Sequence, residues 1–339
     1  MDDNSLSSFA HPDSEQEQDK ASDIRPDVLE NVAEPIVNLQ PENLEQLKGT
    51  DPSDVSDDSY LFVEGRRYSK HPLPNNDKEA DRLQAVHYFL KNLFQSNYTA
   101  PIQTILKNNN AQVLDVCCGS AVWVTEMAAE FPSSTFTGTN HSMVWPRDVP
   151  PNCNFSPANI LEGLPFPDDY FDYVHCRCAL AGFSINDWIT KIIPEIVRVS
   201  KPAAFFEHWE LDAHHVNSGP IMKKISNAEI SLGTSLGIDS SMIDKIGDSL
   251  LSNKCLTNIN QQQKYCPLGI WGGESGKMNV DIFRETCLAA QSQMAEFINI
   301  TSNEFEDMVN DCIKEAENFR TYSKIHLIYA QKIDPSITV

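Results

Sequence analysis

Apolar residues recur along this chain at two spacings, and the switches between them mark out its elements. From 77 to 106 they fall every three or four positions (Leu83, Val86, Leu90, Leu93, Phe94), which predicts an amphipathic helix followed by a second, short one. The run AQVLDV at 111–116, placed after an Asn-rich turn, is short and apolar and predicts a first buried strand. The two patterns then alternate: a helix over 122–131, strands over 135–139, 154–158 and 171–176, a helix over 187–199 and a strand over 203–211. Strands separated by helices of this length imply right-handed crossovers and a mostly parallel sheet covered on both faces, an α/β doubly wound architecture. Beyond Asp212 the pattern predicts helices over 220–232, 241–251, 280–297 and 303–319, with strands near 256–265 and 324–331. CPLGIWGGESGK at 266–277 reads as an irregular Gly-rich loop with Trp271 as its packing anchor.

Composition divides the chain unevenly. Residues 1–58 hold 16 acidic and 3 basic side chains, a net −13 out of −22 for all 339 residues, with few aromatics. Such a segment cannot bury enough apolar surface to offset its chain entropy, so a disordered acidic tail over 1–55 precedes a single domain over 56–335. Within that domain the pattern assigns a helical lid to 56–108, a core sheet to 109–212, a variable substrate-side insertion to 213–280, and C-terminal helices with a last strand to 281–335. The tail reads as solvated charge, with a docking arm for a regulatory protein partner as the sharper alternative. No apolar run is long enough for a membrane span and no basic-then-apolar leader opens the chain, so a cytoplasmic protein is expected. Nine cysteines without paired CxxC spacing give no metal site, and the pair His214 and His215 lacks a third ligand at metal spacing. The acidic balance argues against direct nucleic-acid binding, which needs clustered Lys and Arg.

In an open α/β sheet a ligand lies beyond the carboxyl ends of the strands, beside the first one. The residues there, VLDVCCGSAVW (113–123), place Asp115 at a strand end before a small-residue turn and a helix, whose first N–H groups a ligand can approach. Asn140 and then Asn159 follow the next two strands, where further polar contacts are expected. The turn lacks the second and third glycines that seat a dinucleotide pyrophosphate, which disfavours a nicotinamide enzyme. His175 ends a strand as well. In FFEHWEL, alternation puts Glu207 and Trp209 on one face and His208 and Glu210 on the other. Candidate acid–base groups are therefore His175, His208 and Glu210.

The stretch VLDVCCGSAVWVTEMAAEFPSSTFTGTNHS resembles the cofactor motif of class I S-adenosylmethionine-dependent methyltransferases. YLFVEGRRYSKHPLPNNDKEADRL, LPFPDDYFDYVHCR, the Asp187–Trp188 pair and PLGIWGG together resemble fungal methyltransferases related to LaeA, the regulator of secondary metabolism, also called the TAM-domain type. The resemblance covers about Tyr60 to Lys332 and implies a Rossmann-like, seven-stranded, mostly parallel sheet. It implies S-adenosyl-L-methionine as cofactor: Asp115 near the methionine amino group, Cys117 and Gly119 lining the approach, Asn140 and His141 by the ribose, Asn159 and Ile160 by the adenine. His175 and Cys176 would form the floor, with Tyr60 and Tyr68 as a lid over the cofactor. The methyl acceptor would be a small metabolite or a protein side chain, and the resemblance adds nuclear residence to the cytoplasmic expectation. Departures from the family pattern are Cys117 and Ala121 for Gly, Asn140 and Asn159 for acids, and Ala203–Ala204 for Gly-Gly. These imply weakened cofactor contacts, and they supply the alternative of a catalytically degenerate, partner-binding protein.

Overall fold

The computed structural model describes residues 61–63, 66–68, 76–108, 110–141, 145–146, 148–238 and 242–336. The expected tail and Tyr60 lie outside them. Two short strands, β1 (Leu61–Val63) and β2 (Arg66–Tyr68), pair antiparallel as a separate hairpin, with Leu61 opposite Tyr68. Helix α1 (Asp77–Phe94) follows. Asn76 caps it, accepting the Glu79 N–H at 3.0 Å, which satisfies one donor that a helix start leaves free. Helix α2 (Gln103–Asn108) is the short second helix.

The main sheet comprises β3 (Gln112–Val116), β4 (Thr135–Asn140), β5 (Cys153–Pro157), β6 (Phe171–Arg177), β7 (Ser200–Leu211), β8 (Leu256–Pro267) and β9 (Tyr322–Lys332). Its order is β5-β4-β3-β6-β7-β9-β8. The pairs among β5, β4, β3, β6 and β7 are parallel, and β9 runs antiparallel to both its neighbours. The sheet is thus seven-stranded and mostly parallel, and the reversal of strand order beside β3 opens a crevice at the strand ends.

Alternation along β3 and β6 supplies both faces. Val113 and Tyr173 pack with Phe136, Phe205 and α3 (Val122–Glu130), where Trp123, Val124 and Met127 are buried. Leu114, Val116, Val174 and Cys176 pack on the opposite face, against the segment from Trp188 to Val199 and against α7 (Met242–Ser252). The helix predicted over 187–199 consists of α4 (Ile185–Asp187), a π-turn (Trp188–Ile192) and α5 (Ile193–Val199). Pro194 supplies no N–H, and the backbone widens in the turn before it. A third cluster joins α6 (Pro220–Ser235), α8 (Gly273–Ala289), α9 (Gln291–Ile298) and α10 (Ser302–Phe319). The helix predicted over 280–297 is therefore two, broken at Ala290.

The expected loop at 266–277 is mostly regular. β8 runs to Pro267, a 3-10 turn spans Ile270–Gly272, and α8 begins at Gly273. The glycines serve close approach here: a Cβ on Gly276 would lie 2.2 Å from the Gly269 carbonyl oxygen. Trp271 stacks edge-on with Tyr322, ring centroids 5.1 Å apart, and the Arg320 guanidinium lies 4.9 Å from its ring. Among the described residues no helix is long and apolar enough to cross a membrane.

Candidate functional site

The turn after β3 keeps the backbone of a glycine turn at residues that are not all glycine. Cys117, Gly119 and Ala121 have φ of 57°, 54° and 63°, all left-handed. For a residue with a Cβ this costs roughly 1–2 kcal/mol. The cost is borne where the turn leads into α3 and where the Cys118 N–H reaches across to the Thr139 carbonyl at 2.9 Å. The Cys117 side chain packs with the core cluster beneath the turn, beside Cys176. Contact with Cys117 and then burial push the Cys176 thiol well above its ordinary pKa, so it is a neutral thiol.

Asp115 and His175 stand side by side in register on β3 and β6. Both are buried, and His175 Nδ1 is 2.8 Å from Asp115 Oδ1. The carboxylate accepts, so Nδ1 carries the proton and Nε2 is a lone pair, with no hydrogen-bond partner among the described residues. The imidazole lies flat on Trp123, centroids 3.8 Å apart and planes 3° apart, and burial lowers its pKa against the pull of Asp115. Asp115 therefore acts on the site by its charge and by fixing His175, with only 2% of its surface exposed.

Two residues further along β6 is a group to which sequence reasoning gave no role. Arg177 Nη2 donates to His87 Nδ1 at 2.8 Å, and His87 Nε2 is 2.6 Å from Glu126 Oε2, to which Asn97 also donates while Lys91 donates to Oε1. Since the guanidinium can only donate, His87 must be neutral there, and burial together with Arg177 pulls its pKa down to about 4. Arg177 forms no ion pair with any described carboxylate and remains partly exposed at the strand end. Its place in LPFPDDYFDYVHCR, directly after His175 and Cys176 at a strand end, was the available signal.

Asn140 ends β4 half-buried, its carbonyl accepting the Ala158 N–H at 3.1 Å; His141 follows, exposed. Asn159 caps a 3-10 turn over Ile160–Glu162, accepting from Leu161 N at 3.1 Å and donating to Glu162 Oε1 at 2.9 Å. Ile160 is buried in the core cluster. Tyr68 ends β2, in the separate hairpin. The structure thus brings Asp115, Cys117, Gly119, His175 and Cys176 together at adjacent strand ends, with Asn140 and Asn159 on the two strands beyond.

On the other side of β6 a cavity of about 260 Å³ lies between α1, the end of β7, α6 and α8. Leu83 joins the two regions: it lines the cavity, and its Cδ1 is 3.1 Å from where a Cβ on Gly119 would stand. Glu210 reaches the cavity wall, and its carboxylate accepts the Leu180 N–H at 3.0 Å. His208 does not line it; it is buried against Trp188, with Nε2 3.5 Å from Glu210 Oε2. Glu207 and Trp209 share the opposite face as the alternation predicts, Trp209 Nε1 donating to Glu207 at 2.5 Å. Glu207 also accepts from Thr99 N and Oγ1, Ala100 N and Tyr173 Oη, which makes it a structural carboxylate.

Residues 113–203 match the family model for a methyltransferase domain. The chain is 31% identical over 157 residues to the secondary metabolism regulator laeA of Coprinopsis cinerea, covering 45% of this chain and 38% of that protein. It is 27% identical over 237 residues to the secondary metabolism regulator LAE1 of Pyricularia oryzae, covering 65% and 70%, and 25% identical over 202 residues to methyltransferase str3 of Strobilurus tenacellus, covering 58% and 70%. The match thus spans about two fifths of the length of the laeA protein.

Proposed function

We propose that this protein, a class I S-adenosylmethionine methyltransferase by its domain and a relative of the LaeA-type regulators, transfers the methyl group to an acceptor held in the cavity beside β6 and β7. The observation that carries this reading is the juxtaposition at the strand ends. A turn with glycine-type backbone at 117, 119 and 121 adjoins a buried Asp115–His175 pair and a guanidinium, Arg177, with no carboxylate of its own. These groups suit an amino-acid-bearing nucleoside. Arg177 would meet its carboxylate, Asp115 would act on its ammonium by charge, and Asn140 would face its ribose. A neutral Asn gives up one charge-assisted bond relative to an acid, which lowers affinity about tenfold without removing the site.

When bound, S-adenosylmethionine supplies a sulfonium-activated methyl group. The protein has to hold the acceptor in line with it and keep water out, and a near-attack geometry is most of the required catalysis. The largely apolar lining of the cavity, to which Leu83 contributes, suits the second task. Its volume of about 260 Å³ and its apolar lining suit a small-molecule acceptor, in keeping with a link to secondary metabolism.

Asn159 motivates a second reading, a degenerate methyltransferase that binds a partner through the acidic tail, because both its side-chain polar atoms are spent on its own turn. Calorimetry separates the two. Restoring Asp at 140 should raise S-adenosylhomocysteine affinity about tenfold in a working site. A protein that binds none before or after that change sinks the methyltransferase reading.

A further inference from the structure

Among the described residues, the charged groups of the cavity are satisfied within the protein, with the exception of Glu229. Arg82 forms a two-pronged pair with Glu79, at 2.7 and 2.6 Å, and also reaches Thr286 Oγ1 at 3.2 Å. Asp212 receives His326 Nε2 at 2.8 Å, Lys324 Nζ at 2.6 Å and the His214 N–H at 2.8 Å; these bonds outweigh burial and hold its pKa low. Glu210 takes the N–H groups of Leu180 and Leu211. Glu229, on α6, lines the same space and makes no hydrogen bond to any described residue. Burial, with Asp212 nearby, raises its pKa to about 7.

A second group of the wall, His215, whose Nδ1 lies 3.4 Å from Ser226 Oγ, points to the same chemistry. His215 Nδ1 is 3.2 Å from the Ala213 carbonyl, which only accepts, so Nδ1 carries the proton and Nε2 presents a lone pair with no partner among the described residues. Burial lowers the pKa of this ring to about 4, so it stays neutral. With Nε2 of His326 on Asp212, its buried Nδ1 is a third lone pair on this wall without a partner among the described residues, so the open groups of the wall are all hydrogen-bond acceptors, in a lining that is largely apolar. Glu229 is half-buried, and a carboxylate drawn partly out of water without a donor is unfavourable; an N–H-bearing cation satisfies it, a neutral hydroxyl does so in part and an anion adds to the cost.

We propose that the cavity binds a primary or secondary ammonium carried on an apolar body, with Glu229 as its counter-ion and His215 as a further acceptor. The proposal rests on the methyltransferase reading for its chemical consequence. Glu229 takes one proton from the bound ammonium, freeing the nitrogen lone pair. The N–C bond forms as the S–C bond breaks, the sulfonium leaves as a neutral thioether, and the product is an N-methylated ammonium.

The test is calorimetric titration of the full chain with 2-phenylethylamine, 2-phenylethanol and phenylacetate, three probes of one shape and different charge, each with and without saturating S-adenosylhomocysteine. The amine should bind at least about tenfold more tightly than the alcohol, with the acid weakest. Glu229→Gln, which keeps the shape and removes the charge, should bring amine and alcohol to within about twofold while leaving S-adenosylhomocysteine affinity unchanged. Equal binding of alcohol or acid, an amine preference that survives Glu229→Gln, or no amine binding in a protein that takes up S-adenosylhomocysteine overturns the proposal. An amine preference in a protein that does not bind S-adenosylhomocysteine keeps the cation site and sinks the methyltransferase reading instead.

Discussion

Among the described residues, the strand-end turn and the cavity beside it each leave one charge without an ion-pair partner, and the two charges have opposite sign. At the turn the carboxylates are engaged, Asp115 by His175 and Glu126 by His87 and Lys91, while the cation Arg177 lacks an acid. Across Leu83 in the cavity the cation Arg82 is engaged by Glu79, while the anion Glu229 lacks a partner. On the readings proposed above, the two halves of the site would take groups of opposite charge: a carboxylate near the turn and an ammonium in the cavity.

The largest expected effect is on β7, the strand that passes beside both regions. Glu207→Ala removes the acceptor of five hydrogen bonds, four of which tie β7 to Tyr173 and to the segment before α2, the fifth coming from Trp209 on β7 itself. It should cost about 3–5 kcal/mol in urea unfolding. A loss under about 1 kcal/mol would show that this network is not what holds β7.

Next, Asp115→Ala orphans the buried His175 ring and should cost about 1–3 kcal/mol of stability. S-adenosylhomocysteine affinity should fall with it, while 2-phenylethylamine affinity should not. Parallel loss of both ligands would erase the distinction between the regions.

Acid titration sets Glu229 of the cavity against the buried histidines of both regions. His87 near the turn and His215 by the cavity have folded-state pKa values of about 4, below the unfolded value of 6.5, so the unfolded chain binds more protons between those limits. Their contribution to stability is complete above pH 6.5 and is lost as pH falls toward 4, at about 1.4 kcal/mol per pH unit for each proton taken up. His175 shifts in the same direction. Glu229, raised from 4.5 to about 7, acts oppositely: its contribution is complete below 4.5 and lost as pH rises through 7. Urea midpoints between pH 4.5 and 6.5 should therefore fall on acidification, and more steeply in Glu229→Gln. An unchanged slope in that variant would contradict the burial assigned to Glu229.

Cys117→Gly should have the smallest effect. Relief of roughly 1–2 kcal/mol of left-handed strain is offset by about 0.5–1 kcal/mol of added chain entropy and by the lost thiol contact. Stability should stay within about 1 kcal/mol, and S-adenosylhomocysteine affinity within about threefold, because the side chain packs beside Cys176 beneath the turn. A large gain in affinity would show that the thiol obstructs the site.

The turn was far more legible in the sequence than the cavity. β3, its turn and α3 are contiguous, so alternation, a strand-end Asp115 and small residues located them, as they did the other strands to within a few positions. Arg177 was in view but without a role, since only the tertiary structure shows that its partner is a neutral His87 and not an acid. The cavity is assembled from side chains spread between Arg82 and His326, and no spacing along the chain brings Glu229 and His215 to one wall. The Gly-rich stretch misled because its glycines serve close packing of β8 against α8, where isolated glycines usually mark loops. The π-turn before Pro194 depends on a missing N–H, which a hydrophobic pattern does not register.

The most direct test of the account is calorimetric titration of wild type and Arg177→Met with S-adenosylhomocysteine and with 5′-methylthioadenosine, which lacks the amino-acid moiety. Wild type should bind S-adenosylhomocysteine at one site. The substitution should weaken that binding about ten- to hundredfold, as loss of charge-assisted bonds to a carboxylate requires, and leave 5′-methylthioadenosine affinity unchanged. Absence of S-adenosylhomocysteine binding at millimolar concentration, or equal weakening of both ligands, would contradict it.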